Sequence, residues 1–129
     1  MDFAQSAAAR PRVELEVYSG RPNPSWTLDA QDAAELRRRL AGLPEGSAAA
    51  DTSAALGYRG VRVSMPEANA ASDEVVVARG GVAVRRGSAA RAFRDEGRAL
   101  ERWLIETGRG ALDPDLYAYV VREVRQGGG

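Results

Sequence analysis

Apolar and polar positions alternate with period two in the first patterned stretch of the chain. Val13, Leu15 and Val17 interleave with Glu14, Glu16 and Tyr18, which predicts a half-buried strand over 12–18. Residues 19–25, SGRPNPS, interrupt it with a glycine and two prolines. The period then lengthens. Ala33, Leu36 and Leu40 mark one face of a helix that Asp29 can cap. Arg37, Arg38 and Arg39 fall in its last turn, where cations suit the helix dipole, and Gly42 and Pro44 end it.

Residues 44–55, PEGSAAADTSAA, have low complexity and little worth burying, so they read as a loop. A second strand is expected over 57–65, with Val61, Val63 and Met65 on one face, and a third over 73–79. Gly80 and Gly81 suit a two-residue hairpin turn because both accept positive φ. The fourth strand is then 82–86, and Val75, Val77, Val82 and Val84 share a face. Ser88 can cap a long helix over 89–107 with Phe93, Gly97, Leu100 and Leu104 along its buried stripe. A glycine inside a helix lowers its stability, so Gly97 is expected to mark a close backbone contact. Asp113-Pro114-Asp115 opens a last helix carrying Leu116, Val120, Val121 and Val124.

The expected order is β-α-β-β-β-α-α, an α+β two-layer sandwich. Its sheet is four-stranded and mostly antiparallel, with helices on one face and the first strand at one edge. Residues 1–11 are expected to be disordered, 12–126 to form a single domain, and 127–129 to be a flexible glycine tail. Gly127-Gly128-Gly129 resembles the tails of ubiquitin-like and sulfur-carrier proteins over those residues alone. The strand order expected here departs from theirs, which has two strands before the helix.

Composition narrows the chemistry. The chain has 129 residues, 44% of them apolar, and lacks cysteine and histidine. Its basic residues are all arginine, 18 against 18 acids, for a formal net charge of zero. The residue types present therefore give no thiolate nucleophile, imidazole base, Schiff-base lysine or Walker lysine. GC-rich coding accounts for these absences without reference to function. Zero net charge argues against nucleic acid as a partner. No apolar run is long enough to span a membrane, and a cytoplasmic protein without a cofactor is the expectation.

Tyr18 to Trp26 gathers arginine, amide and indole in a stiffened setting. Pro22 and Pro24 restrict the residues on both sides, so Arg21, Asn23 and Trp26 would be presented at little entropic cost. Tyr58 and Arg59 would join them if the first two strands are neighbours. These six residues, Tyr18, Arg21, Asn23, Trp26, Tyr58 and Arg59, form the expected ligand-binding set of a non-enzymatic binding or accessory module. Its partner would be a protein, a peptide or a small anionic ligand. The competing reading makes the same residues structural: prolines stiffening a turn, Trp26 packed beneath it, Asn23 bonded to its own backbone.

An enzymatic alternative uses Glu14 or Glu16 as a carboxylate base on an anion held by arginines, which requires burial to raise the carboxylate pKa. Asp29, Asp32 and Glu35, or Glu67, Asp73 and Glu74, supply acids for a hard cation but lack EF-hand spacing. Val76, Ala78 and Ala83 on the open sheet face would suit pairing of two copies.

Overall fold

The computed structural model describes residues 10–46, 57–67 and 70–127. Among them six strands form one antiparallel sheet: β1 Arg12–Glu16, β2 Ser25–Thr27, β3 Gly60–Glu67, β4 Ala70–Ala78, β5 Gly81–Arg86 and β6 Ala89–Arg94. The strand order is β2-β1-β3-β4-β5-β6. Helix α1 spans Ala30–Ala41 between β2 and β3, and α2 Ala99–Thr107 and α3 Pro114–Gly127 close the chain. The element order is therefore β-β-α-β-β-β-β-α-α. The α+β class stands; the four-strand count does not.

Both additional strands have local causes. β2 is three residues long and lies between Pro24 and the α1 cap, too short for a visible alternation. Its backbone is tied to β1 by Leu15 N–H to Pro24 O and Leu28 N–H to Pro11 O, each 2.9 Å. β1 is thus an interior strand, and β2 and β6 are the edges.

β6 replaces the first third of the helix expected over 89–107. Its alanines favour helix by propensity, but six consecutive register pairs with β5, from Gly81↔Arg94 to Arg86↔Ala89, hold it extended. The chain then turns through a 3-10 segment, Glu96–Arg98, in which Gly97 has φ 65°. A Cβ at Gly97 would meet nothing within 4 Å. Gly97 supplies a left-handed turn rather than a close contact.

The hairpin turn is also shifted by one residue. Ala78 pairs with Gly81, so Arg79 and Gly80 are the central residues, with φ 54° and 84°. Positive φ at both positions is the type I′ geometry that matches strand twist. The strand register moves by two and Val75, Val77, Val82 and Val84 keep one face. The apolar pattern is blind to such a shift.

That face carries the core. Val13, Leu15, Val61, Val63, Val75, Val77 and Val82 are fully buried, and Leu36, Leu100, Leu104, Ile105, Val120 and Val124 from the three helices join the same cluster. Asp29 caps α1 by accepting from Asp32 N–H at 2.7 Å. Asp113 caps α3 through the N–H groups of Asp115 and Leu116. Residues 47–56, most of the low-complexity loop, lie outside the described residues, as do 1–9 and 128–129. Pro44 and Gly46 bond to β6 through Arg94 N–H and Ala92 O.

Candidate functional site

The segment from Tyr18 to Trp26 is held from within. Asn23 Oδ1 accepts from the N–H groups of Val17 and Tyr18 at 3.0 and 2.7 Å, and its Nδ2 donates to Glu14 Oε2 at 3.1 Å. The Asn23 amide thus replaces the ladder partners that β1 loses where β2 leaves it. Trp26 is 9% exposed and donates Nε1–H to Thr107 Oγ1 at 2.9 Å. A Cβ on Gly108 would overlap its ring, so Trp26 anchors β2 to the end of α2.

Tyr58 is also inward. Its hydroxyl donates to Glu101 Oε2, and its N–H donates to Tyr119 Oη at 3.2 Å. Glu101 is fully buried and takes a forked pair from Arg98, Nε to Oε1 at 2.8 Å and Nη2 to Oε2 at 2.9 Å. Burial and the adjacent Glu101 carboxylate push the Tyr58 phenol far above its ordinary range. Asp95, 3% exposed, caps α2 through Leu100 and Glu101 N–H at 2.8 and 3.0 Å. Burial raises its pKa against the lowering effect of those two amide bonds.

Three members of the expected set remain near one another at the surface. The Arg21 guanidinium lies 3.9 Å over the Tyr18 ring, and Arg59 donates Nη2–H to Tyr18 O at 2.8 Å. Arg59 Nε is buried without an acceptor. The two glutamates of the enzymatic alternative lie on the sheet face opposite the core. Glu14 is bonded by Asn23, and Glu16 lies 3.4 Å from Arg62 Nε and 3.9 Å from Arg59 Nη2. On that same face Val76 and Ala83 are paired and half-buried, while Ala78 is buried.

The sheet forms a second constellation elsewhere. Between α1 and the β4–β6 half lies an open cleft of about 440 Å³, within the size range of small-molecule sites. Leu40, Met65, Val75, Val84 and Phe93 supply apolar lining, and Arg37, Asp73, Arg86 and Arg91 supply charge. The side-chain phase explains its character. Asp73 is in phase with Val75 and Val77 on β4, Arg86 with Val82 and Val84 on β5, and Arg91 with Phe93 on β6. The core face of three adjacent strands therefore turns charged at one end.

Arg86 donates Nε–H to Asp73 Oδ2 at 3.1 Å. Arg91 donates Nη2–H to Glu45 Oε2 at 2.7 Å, and its guanidinium lies 5.4 Å over the Phe93 ring. Arg37 is exposed on α1.

From the sequence, Asp73 is expected only as a cation ligand, with Glu67 and Glu74, and Arg37 only as a last-turn cation of the first helix, while Arg86 and Arg91 are given no binding role. The available signal was charge in core phase. Among the described residues no group of three or more histidine, cysteine, aspartate or glutamate side chains is placed to hold a metal ion. No helix there is long and apolar enough to cross a membrane. Compared with protein families, curated proteins and solved structures, the chain matches none.

Proposed function

We propose that this protein is a non-enzymatic binding module for a small amphiphilic acid, seated in the cleft between α1 and strands β4–β6. The observation that carries this reading is the arrangement of its lining: an apolar floor beside Arg37, Arg86 and Arg91, with Asp73 as the lining acid. An apolar body would cover Val75, Val84 and Leu40, gaining roughly 25 cal/mol per Å² removed from water. A carboxylate or sulfonate head would meet guanidinium groups, whose planar fork matches such anions. The Arg91–Glu45 pair is 65% and 77% exposed on its two sides. Exposed pairs are weak, so an incoming acid can displace Glu45.

The test is titration with 8-anilinonaphthalene-1-sulfonate, a fluorescent amphiphilic anion. Saturable enhancement that decanoate reverses, and that weakens severalfold in Arg37→Gln/Arg91→Gln, supports the reading. Absence of saturable binding, or an unchanged titration in the double variant, contradicts it.

A second reading keeps the surface at Tyr18, Arg21 and Arg59 as a contact for an acidic protein segment. The stacking of exposed Arg21 on Tyr18 favours it, since a guanidinium already ordered loses less entropy on pairing. Asn23, Trp26 and Tyr58 then serve as its supports.

A further inference from the structure

Asp73 is the anomaly of the cleft. Position 73 follows the parity of Val75 and Val77, both fully buried, and its register partner on β3 is Met65. Alternation calls for an apolar residue there. The chain instead places a carboxylate whose side chain is 9% exposed. Burying such a group costs stability unless its charge and acceptor sites are satisfied. Asp73 caps no helix. Among the described residues its hydrogen-bond donor is Arg86, whose side chain is 78% exposed. An ionised carboxylate offers about four acceptor positions, and this one contributes to the cleft lining. Departures from the local pattern are expected at functional or strained sites, and Asp73, unlike the buried Asp95 and Glu101, lines an open cleft.

We infer that Asp73 is a specificity-determining residue that reads a hydroxyl group on the ligand, so that the ligand class is a medium-chain hydroxy acid with its hydroxyl close to its carboxylate. This rests on the amphiphilic-acid reading of the cleft and adds a donor to it. The charge balance selects the donor. Arg37, Arg86 and Arg91 outnumber Asp73 in the lining, and Arg86 already compensates the carboxylate. A neutral O–H donor therefore suits the position, whereas an ammonium group would meet the surplus positive charge. The two ends of the ligand head divide between strands. The carboxylate goes to Arg91 on β6 and Arg37 on α1, and the hydroxyl to Asp73 on β4. These strands lie about 10 Å apart across β5. Arg91 is held outward by Glu45, and releasing that exposed pair frees its guanidinium for the ligand carboxylate.

The experiment is isothermal titration calorimetry of the full chain with decanoate, 3-hydroxydecanoate and 3-aminodecanoate. A hydrogen bond to a charged group predicts that the hydroxy acid binds roughly tenfold tighter than decanoate. In Asp73→Val the ratio of the two affinities falls to about one. Asp73→Ala provides a second variant with the same expected ratio, and thermal unfolding of both verifies that they fold. Equal affinity for decanoate and the hydroxy acid in the unaltered protein overturns this inference while leaving the cleft reading intact. So does a preference that survives in both variants, or tighter binding of the amino acid analogue. Failure of all three acids to bind overturns the cleft reading and this inference together.

Discussion

Arg98 and Glu101 form a buried forked ion pair, with both guanidinium-to-carboxylate bonds under 3 Å and Glu101 fully enclosed. Arg98 reaches this geometry from a left-handed backbone conformation, φ 56°, directly after the turn at Gly97. The pair sits where β6 gives way to α2, and Tyr58 and Asp95 complete it. Together they lock the residues leading into β3 to the start of α2.

Removing one member leaves the other charged and unpaired in the interior. Glu101→Ala should therefore lower unfolding free energy by about 3–5 kcal/mol, measured by urea denaturation. Tyr58→Phe deletes only the hydroxyl donor and should cost about 1–3 kcal/mol. Equal losses in the two variants would show that the carboxylate is solvated in solution.

Asp95 gives the cluster a pH dependence of definite sign. Its folded pKa is raised by burial above the ordinary value of 3.8, so between those values the folded state binds more protons than the unfolded state. Stability from this group is then fully present below about 3.8 and declines as pH rises through the folded pKa. The stability difference between the unaltered protein and Asp95→Asn should fall across that window and be flat above it. Urea midpoints collected from below the ordinary value of 3.8 up to neutral pH measure this, and a difference that grows with pH would contradict the assignment.

Arg79 occupies the first central position of a type I′ turn with φ 54°, where asparagine is favoured and most side chains are strained. Arg79→Asn should stabilise the fold by up to about 1 kcal/mol. A lower thermal midpoint in that variant would mean that the Arg79 side chain contributes contacts beyond the turn.

The Asn23 carboxamide oxygen serves two backbone N–H groups at once. Asn23→Ala should cost about 1–3 kcal/mol by leaving those part-buried donors without it, while Arg21→Ala should change stability by less than about 0.5 kcal/mol. Parallel thermal melts separate the two. This contrast divides the loop into a structural amide and an arginine available for contact.

How much of this was legible in the sequence depends on the range of the physics. Strands β1, β3, β4 and β5 follow from alternating valines and leucines, and α1 follows from its cap and apolar spacing. β6 was illegible because alanine supplies no contrast across Ala89–Arg94, and Ser88 with the helical stripe after it imitates a longer helix. Its strand state comes from pairing with β5, a tertiary effect. The loop at 18–26 announced its chemical groups and, in the structural alternative, the bonding of Asn23 to nearby backbone and the packing of Trp26. The partners Glu14 and Thr107 are distant in sequence or on another element and needed the fold.

The cleft was hidden for a different reason. Arg37, Asp73, Arg86 and Arg91 come from four elements, and the sequence trace they leave is charge at positions 73, 86 and 91 in core phase. That trace becomes meaningful once the register aligns Val75 with Val84 and Val84 with Arg91.

Amide chemical-shift mapping during titration with decanoate tests most directly whether the cleft, rather than the proline-rich loop, is the ligand site. If it is, saturable shifts confined to Arg37, Leu40, Val75, Val84, Arg91 and Phe93 and their neighbours are expected, with Tyr18 to Trp26 unmoved. Shifts centred on Tyr18, Arg21 and Arg59, or none at saturating acid, would rule the cleft out.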